Sequence, residues 1–336
     1  MSRRARILPL AAGSAALGLV LSGCGDIPQP TRPELTPYER PAVGQGEAAE
    51  FLTTYAQELD AALGDGPEAV EQLQTGPLLE RTKAEMLIAE KTDQTLGAVG
   101  YTDVVAGGPM ADSYPLWFMA FATPDKAAEG EDAEDEVQAM LVRRDSAAEE
   151  WKVVESVFVP AASQPTILAD ETGSVATAPE AHTEAADRVA AQAAEYMQSG
   201  KVPDGAPAFP DAGFQDFRDY IDELGAEDTG FSDVGAECAV DTEAGLSDYA
   251  LATEGGGVSF AEIRCTITVN VPESYFVDLG DDIDAVMTTD GDGSTITITA
   301  GQPMLATTEG DEVTVSSPGW FMLESATSGE SGGSED

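Results

Sequence analysis

Apolar residues first form an almost unbroken block at residues 7–21, and only after residue 46 do they recur with a period. Phe51, Tyr55, Leu59 and Leu63 repeat every fourth residue, the stripe of an amphipathic helix starting near Glu47. Gly64 and Gly66 end it, and Pro67 opens a short second helix. After Gly76-Pro77 a third helix runs over about 78–91, with Leu79, Met86 and Leu87 inward. The period then shortens. Residues 96–105 alternate loosely, 114–123 are dense in aromatics, and 137–144 and 151–159 flank a polar turn, so four strands are predicted.

The same order then returns. Residues 160–182 read as a linker with Pro160, Pro165 and Pro179 and room for one strand at 166–168. Helices are predicted over 185–197, with Val189, Ala193 and Met197 on one face, and around Phe214, Phe217, Ile221 and Leu224. Strands follow at 231–240, 249–253, 258–271, 285–289, 295–299, 304–308, 313–316 and 320–323, with Asp292-Gly293 and Gly255–Gly257 as turns. Tyr101-Thr-Asp-Val104 and Phe231-Ser-Asp-Val234 match in residue type at the first strand after each set of helices, as a diverged duplication would.

The predicted fold class is therefore α+β: two helix-first domains, each with helices packed on an antiparallel sheet. Residues 47–159 form the first domain and 183–325 the second; 326–336 are expected to be a disordered acidic tail. The element order of 47–159 resembles the cone-shaped fold of the nuclear transport factor and SnoaL-like superfamily. That resemblance implies a sheet whose concave face can hold a pocket. Trp117, Met119 and Phe121 share one strand face, and Tyr55 and Leu59 are expected to oppose it.

The N-terminus carries an address. Arg3, Arg4 and Arg6 precede an apolar run too short for a membrane span of about 20 residues. It ends in Leu21-Ser22-Gly23-Cys24, which resembles the lipobox of bacterial lipoproteins. The resemblance implies that residues 1–23 are a signal peptide and that Cys24 takes a diacylglyceryl group and becomes the first residue. Fatty acids such as palmitate, buried at about 0.8 kcal/mol per CH₂, would then hold the chain to the outer face of the cytoplasmic membrane. Residues 24–46, with Pro28, Pro30, Pro33, Pro37 and Pro41, read as a semi-rigid tether. Architecture and composition together resemble actinobacterial lipoproteins built of domains of unknown function.

Charge removes one class of partner. With 62 acidic against 16 basic residues the net charge is −46, which repels nucleic acid and anionic headgroups. Of the three Cys, Cys24 is the lipid site, and Cys238 and Cys265 remain as an even pair in strand-like text, expected to form one disulfide. A redox or metal pair is the weaker alternative, because there is no C-x-x-C and no His beside them.

Little else points to chemistry. The only histidine, His182, is read as a solvated linker residue beside Glu180 and Glu184. Asp290-Gly-Asp292 fails the calcium-loop pattern, with Thr295 where Gly and Gly301 where Glu are needed. The acidic run at 125–136 reads as a solvated loop, with weak Ca²⁺ binding as its alternative. No catalytic residue, metal or cofactor is expected. The functional expectation is a non-enzymatic, membrane-anchored module that binds an envelope protein or an apolar small ligand. Its alternative is a SnoaL-like hydrolase or isomerase with an Asp or Glu base in the cone.

Overall fold

Glycine punctuation sets the N-terminal helices. Helix α1 (Glu47–Asp65) buries Leu52, Tyr55, Ala56 and Ala62 along one stripe and stops at Gly66, whose φ of 114° only glycine adopts freely. Pro67 then starts α2 (Pro67–Val70), and Gly76-Pro77 starts α3 (Gly76–Lys91). The computed structural model describes residues 39–44, 46–125, 136–227, 229–272, 280–289 and 293–329. The signal, the lipobox residues Leu21, Ser22, Gly23 and Cys24, and the tether as far as residue 38 lie outside them. So do most of the acidic loop, residues 290–292 and residues 330–336.

A short strand β1 (Arg40–Pro41) pairs with β3 (Met110–Ala111). The first main sheet has the antiparallel order β2 (Tyr101–Gly107), β4 (Leu116–Pro124), β5 (Glu136–Arg144), β6 (Lys152–Pro160). Both faces of β4 are buried, and its alternation deals side chains to two cores. Phe118, Ala120 and Ala122 meet Leu52, Tyr55 and Leu78 beneath the helices. Trp117, Met119 and Phe121 point the other way.

What lies that other way is a second sheet. Helices α4 (Glu180–Ser199) and α5 (Gln215–Leu224) precede β7 (Ser232–Val240), β8 (Ala250–Ala252) and β9 (Gly256–Asn270). A short helix α6 (Asp281–Ala285), β10 (Thr295–Glu309), β11 (Glu312–Ser316) and β12 (Phe321–Ser328) complete the chain. Strand β9 lies at the centre, with β7 and β8 along one edge and β10 along the other; β10 carries β11 and β12 on its far side. Ile263, Cys265 and Ile267 of β9 face Val189, Met197 and Phe217 of the helices. Val258 and Phe260 face Trp117, Met119 and Phe121 of the first sheet. The layers therefore run helices, sheet, sheet, helices, and the described residues form one compact unit.

The α+β reading holds, with helices leading an antiparallel sheet twice over. The matched tetrapeptides behave alike: Asp103 and Asp233 have φ of 50° and 51°, and pairing slips at the same point on both strands, between Thr102 and Val105 and between Ser232 and Gly235. Other expectations are corrected. The first strand begins at Tyr101 rather than residue 96. The predicted strand at 285–289 is the end of α6 and a lone bridge at Met287. The predicted strands at 295–299 and 304–308 are one strand, because Gln302–Met304 falls between the β11 and β12 pairings, where Pro303 with no N–H is tolerated. Part of the expected tail is ordered: Ala326–Ser328 pair with Thr295–Thr297. The disulfide is present, with Cys238 opposite Cys265 across β7 and β9 and their Cα atoms 4.1 Å apart.

Candidate functional site

A cavity of about 290 Å³ opens between α1, α3, the β5–β6 edge and the start of β12. Its apolar wall follows from helical spacing: Tyr55, Leu59 and Leu63 lie one turn apart on α1, and Leu78, Thr82 and Glu85 share the facing side of α3 with Arg81. Phe158 of β6 and Phe321 of β12 close the far side.

Polar groups converge at one end. Arg81 is 8% exposed; its Nη2 donates to Ser156 O at 3.2 Å and Ser156 Oγ at 3.1 Å and lies 3.3 Å from Glu155 Oε1. Its guanidinium stacks over the Phe321 ring at 4.5 Å, so a residue of the second half helps fix it. Gln74 Nε2 donates to Tyr55 Oη at 2.9 Å, and burial pushes the Tyr55 phenol up to about 12. Tyr101 Oη donates to Gln138 Oε1 at 3.0 Å, and burial raises that phenol too. Both phenols are thus neutral over the physiological range, Tyr55 accepting from Gln74 and Tyr101 donating to Gln138. Glu85 is half-buried; burial raises its carboxyl, against a smaller lowering by Arg81.

Of the residues expected to line a pocket, Tyr55 and Leu59 do. Trp117, Met119 and Phe121 lie on the opposite face of β4, packed between the sheets, with Trp117 edge-on to Tyr249 at 5.2 Å. Alternation groups those three correctly but does not say which face a strand buried on both sides turns to which neighbour. Sequence reasoning missed Arg81 and Glu85 because it turns Leu79, Met86 and Leu87 of α3 inward; that face is corrected, since Leu87 is 45% exposed and the helix buries Leu78, Arg81, Thr82 and Ala84 instead.

His182 is also corrected. It is not a solvated linker residue but lies in the first turn of α4, 2% exposed. Nδ1 is 2.9 Å from Thr308 Oγ1 and Nε2 is 3.0 Å from Ser259 Oγ. Burial lowers it to about 4, so the ring is neutral. The packing against β9 is close: a Cβ at Gly257 would overlap the imidazole. Ser259, 3% exposed, lies in the same packed layer, and both ring nitrogens are occupied by hydroxyls, which makes this a structural cross-brace. No helix among the described residues is long and apolar enough to cross a membrane. No group of three or more His, Cys, Asp or Glu able to hold a metal occurs among them.

A domain of unknown function, DUF8094, matches residues 39–311, most of the chain and all of the layers around the cavity except the end of the second sheet. No curated protein and no solved structure matches.

Proposed function

The chain belongs to the DUF8094 family, a domain of unknown function, and from that premise we propose that it is a lipid-anchored extracytoplasmic binding protein whose ligand is a small, mainly apolar molecule with one polar group. The observation that carries the reading is the cavity itself: apolar walls from Leu59, Leu63, Leu78 and Phe158, with Tyr55, Arg81 and Glu85 converging on it. Small-molecule sites have this composition, a largely apolar hollow with few fixed polar groups. Its volume, about 290 Å³, suits a molecule the size of a substituted ring. The lipobox resemblance supplies the location, with Cys24 as the acylated residue and the proline-rich segment as the spacer.

Thermal unfolding with a panel of cyclic and short-chain alcohols, amines and acids tests the binding. A ligand at 100 times its Kd adds about 2.7 kcal/mol, a shift of several degrees. The shift is expected in the wild type and absent in Leu59→Trp, whose indole fills the cavity. A panel without effect, or one equally effective on Leu59→Trp, overturns the reading. For the anchor, Cys24→Ala is expected to abolish metabolic labelling with palmitate, and persistent label on that variant refutes it.

A second reading rests on Glu85. A half-buried carboxyl with a raised pKa beside a hollow is the form a general base takes, as in a hydrolase or isomerase of the SnoaL-like kind. Turnover of a bound panel compound, abolished by Glu85→Gln without loss of binding, would favour it over simple binding.

A further inference from the structure

Of the residues that line the cavity between α1 and α3, only Arg81 and Glu85 carry a charge. They sit one turn apart on the same side of α3, the spacing at which opposite charges pair on a helix. They do not pair. Arg81 turns to the wall instead: its Nη2 donates to Ser156 O at 3.2 Å and Ser156 Oγ at 3.1 Å, and lies 3.3 Å from Oε1 of the fully buried Glu155. The Phe321 ring covers its guanidinium at 4.5 Å. The cavity's one cationic side chain therefore already has a counter-charge, and that counter-charge does not line the cavity.

Glu85 is left over. It is half-buried, and among the described residues nothing donates a hydrogen bond to it or forms an ion pair with it. Burial raises its pKa and Arg81 offsets that only in part, as for a carboxyl whose counter-charge is missing. Such a group loses hydration without gaining a donor, and a bound donor would restore what it has lost. The rest of the cavity suits the body of that donor. Leu59, Leu63 and Leu78 offer apolar contact, and Tyr55, Tyr101 and Phe158 are aromatic rings of the kind that attract a desolvated cation. The chain's net charge of −46 acts at longer range, drawing cations towards the surface and repelling anions.

We infer that the polar group of the cavity's ligand is a protonated amine held by the Glu85 carboxylate, so that the protein selects small organic cations with an apolar body. This rests on the cavity being a binding site, as proposed above, and goes further by fixing the charge of what it takes. A carboxylic acid of the same shape meets Glu85 as a like charge and finds Arg81 already paired. An alcohol can donate to Glu85, but without the second charge that strengthens such a hydrogen bond.

The test is titration calorimetry at neutral pH with three ligands of one skeleton: cyclohexylmethylamine, cyclohexylmethanol and cyclohexanecarboxylate. Wild type is expected to bind the amine about tenfold tighter than the alcohol, and the acid weakest. Glu85→Gln is expected to bring the amine down to the level of the alcohol, with the alcohol itself little changed. Leu59→Trp, whose cavity is filled, is expected to bind none of the three. An alcohol or acid that binds wild type as tightly as the amine overturns the inference and leaves the cavity standing as a binding site, and so does an amine preference that survives in Glu85→Gln. Three ligands that all fail to bind wild type, or that bind Leu59→Trp equally well, overturn both. Melts without ligand add a check on Glu85 itself: Glu85→Gln is expected to keep the wild-type Tm, and a fall of several degrees would reveal an internal partner and refute the inference. If Glu85→Gln does not fold, the wild-type order decides alone: amine first supports the inference and any other order refutes it.

Discussion

At the scale of single residues, burial overrules position in the sequence. His182 follows a proline-rich stretch and has acidic neighbours, which is how a solvated histidine looks in text. The fold puts it under β9 and β10 and gives each nitrogen a hydroxyl. Its pKa falls from the usual 6.5 to about 4, so between those values the unfolded chain binds a proton that the folded chain does not. The sign is therefore loss of stability in acid: the full contribution stands above pH 6.5 and up to about 3 kcal/mol disappears by pH 4. Melts of wild type and His182→Gln at pH 7 and 4.5 test this. The wild type is expected to lose several degrees more than the variant, and equal losses in both would show that His182 does not titrate against folding.

At the scale of elements, most of the fold was legible and the reasons for the failures are specific. Helices α1 and α4 announce themselves because an apolar stripe and a glycine or proline stop act together, whereas α3 is marked by Gly76-Pro77 alone and buries a face with Arg81 and Thr82 on it. Strands β4, β5 and β6 fall within two residues of their expected bounds, because runs of buried Val, Phe, Met and Trp have no other use. The sequence divides β10 in two around Gly301 and Pro303, residues that normally interrupt a sheet. Each has a local cause that no text can display: Pro303 falls where one edge partner hands over to another, and Gly301 gives space to the Glu262 carboxyl. The site was half legible for the same kind of reason. Tyr55 and Leu59 belong to a one-faced helix, so their direction was readable. Trp117, Met119 and Phe121 belong to a strand buried on both faces, where only the identity of the second layer tells which side is which.

At the scale of the whole molecule, the consequential feature is the core between the sheets. Trp117, Phe121 and Leu141 of the first half pack with Leu251, Val258, Phe260 and Leu305 of the second. The faces they cover would otherwise be apolar sheet surfaces open to water, a larger exposed patch than a stable unit tolerates. Arg81 over Phe321 and Arg264 against Glu80 tie the same halves at the seam. Each half thus completes the other, and the two are expected to unfold together. Phe260, 1% exposed, is the sharpest probe, because its ring comes from β9 while part of its surroundings comes from β4 and β5. Phe260→Ala should cost about 3–5 kcal/mol through lost burial and the space left behind. Hydrogen exchange read by mass spectrometry should then rise in β4 and β5 as well as in β9 and β10, within a single thermal transition. Faster exchange confined to the second half, or a melt that divides with the first half unmoved, would mean that the sheets touch without sharing stability.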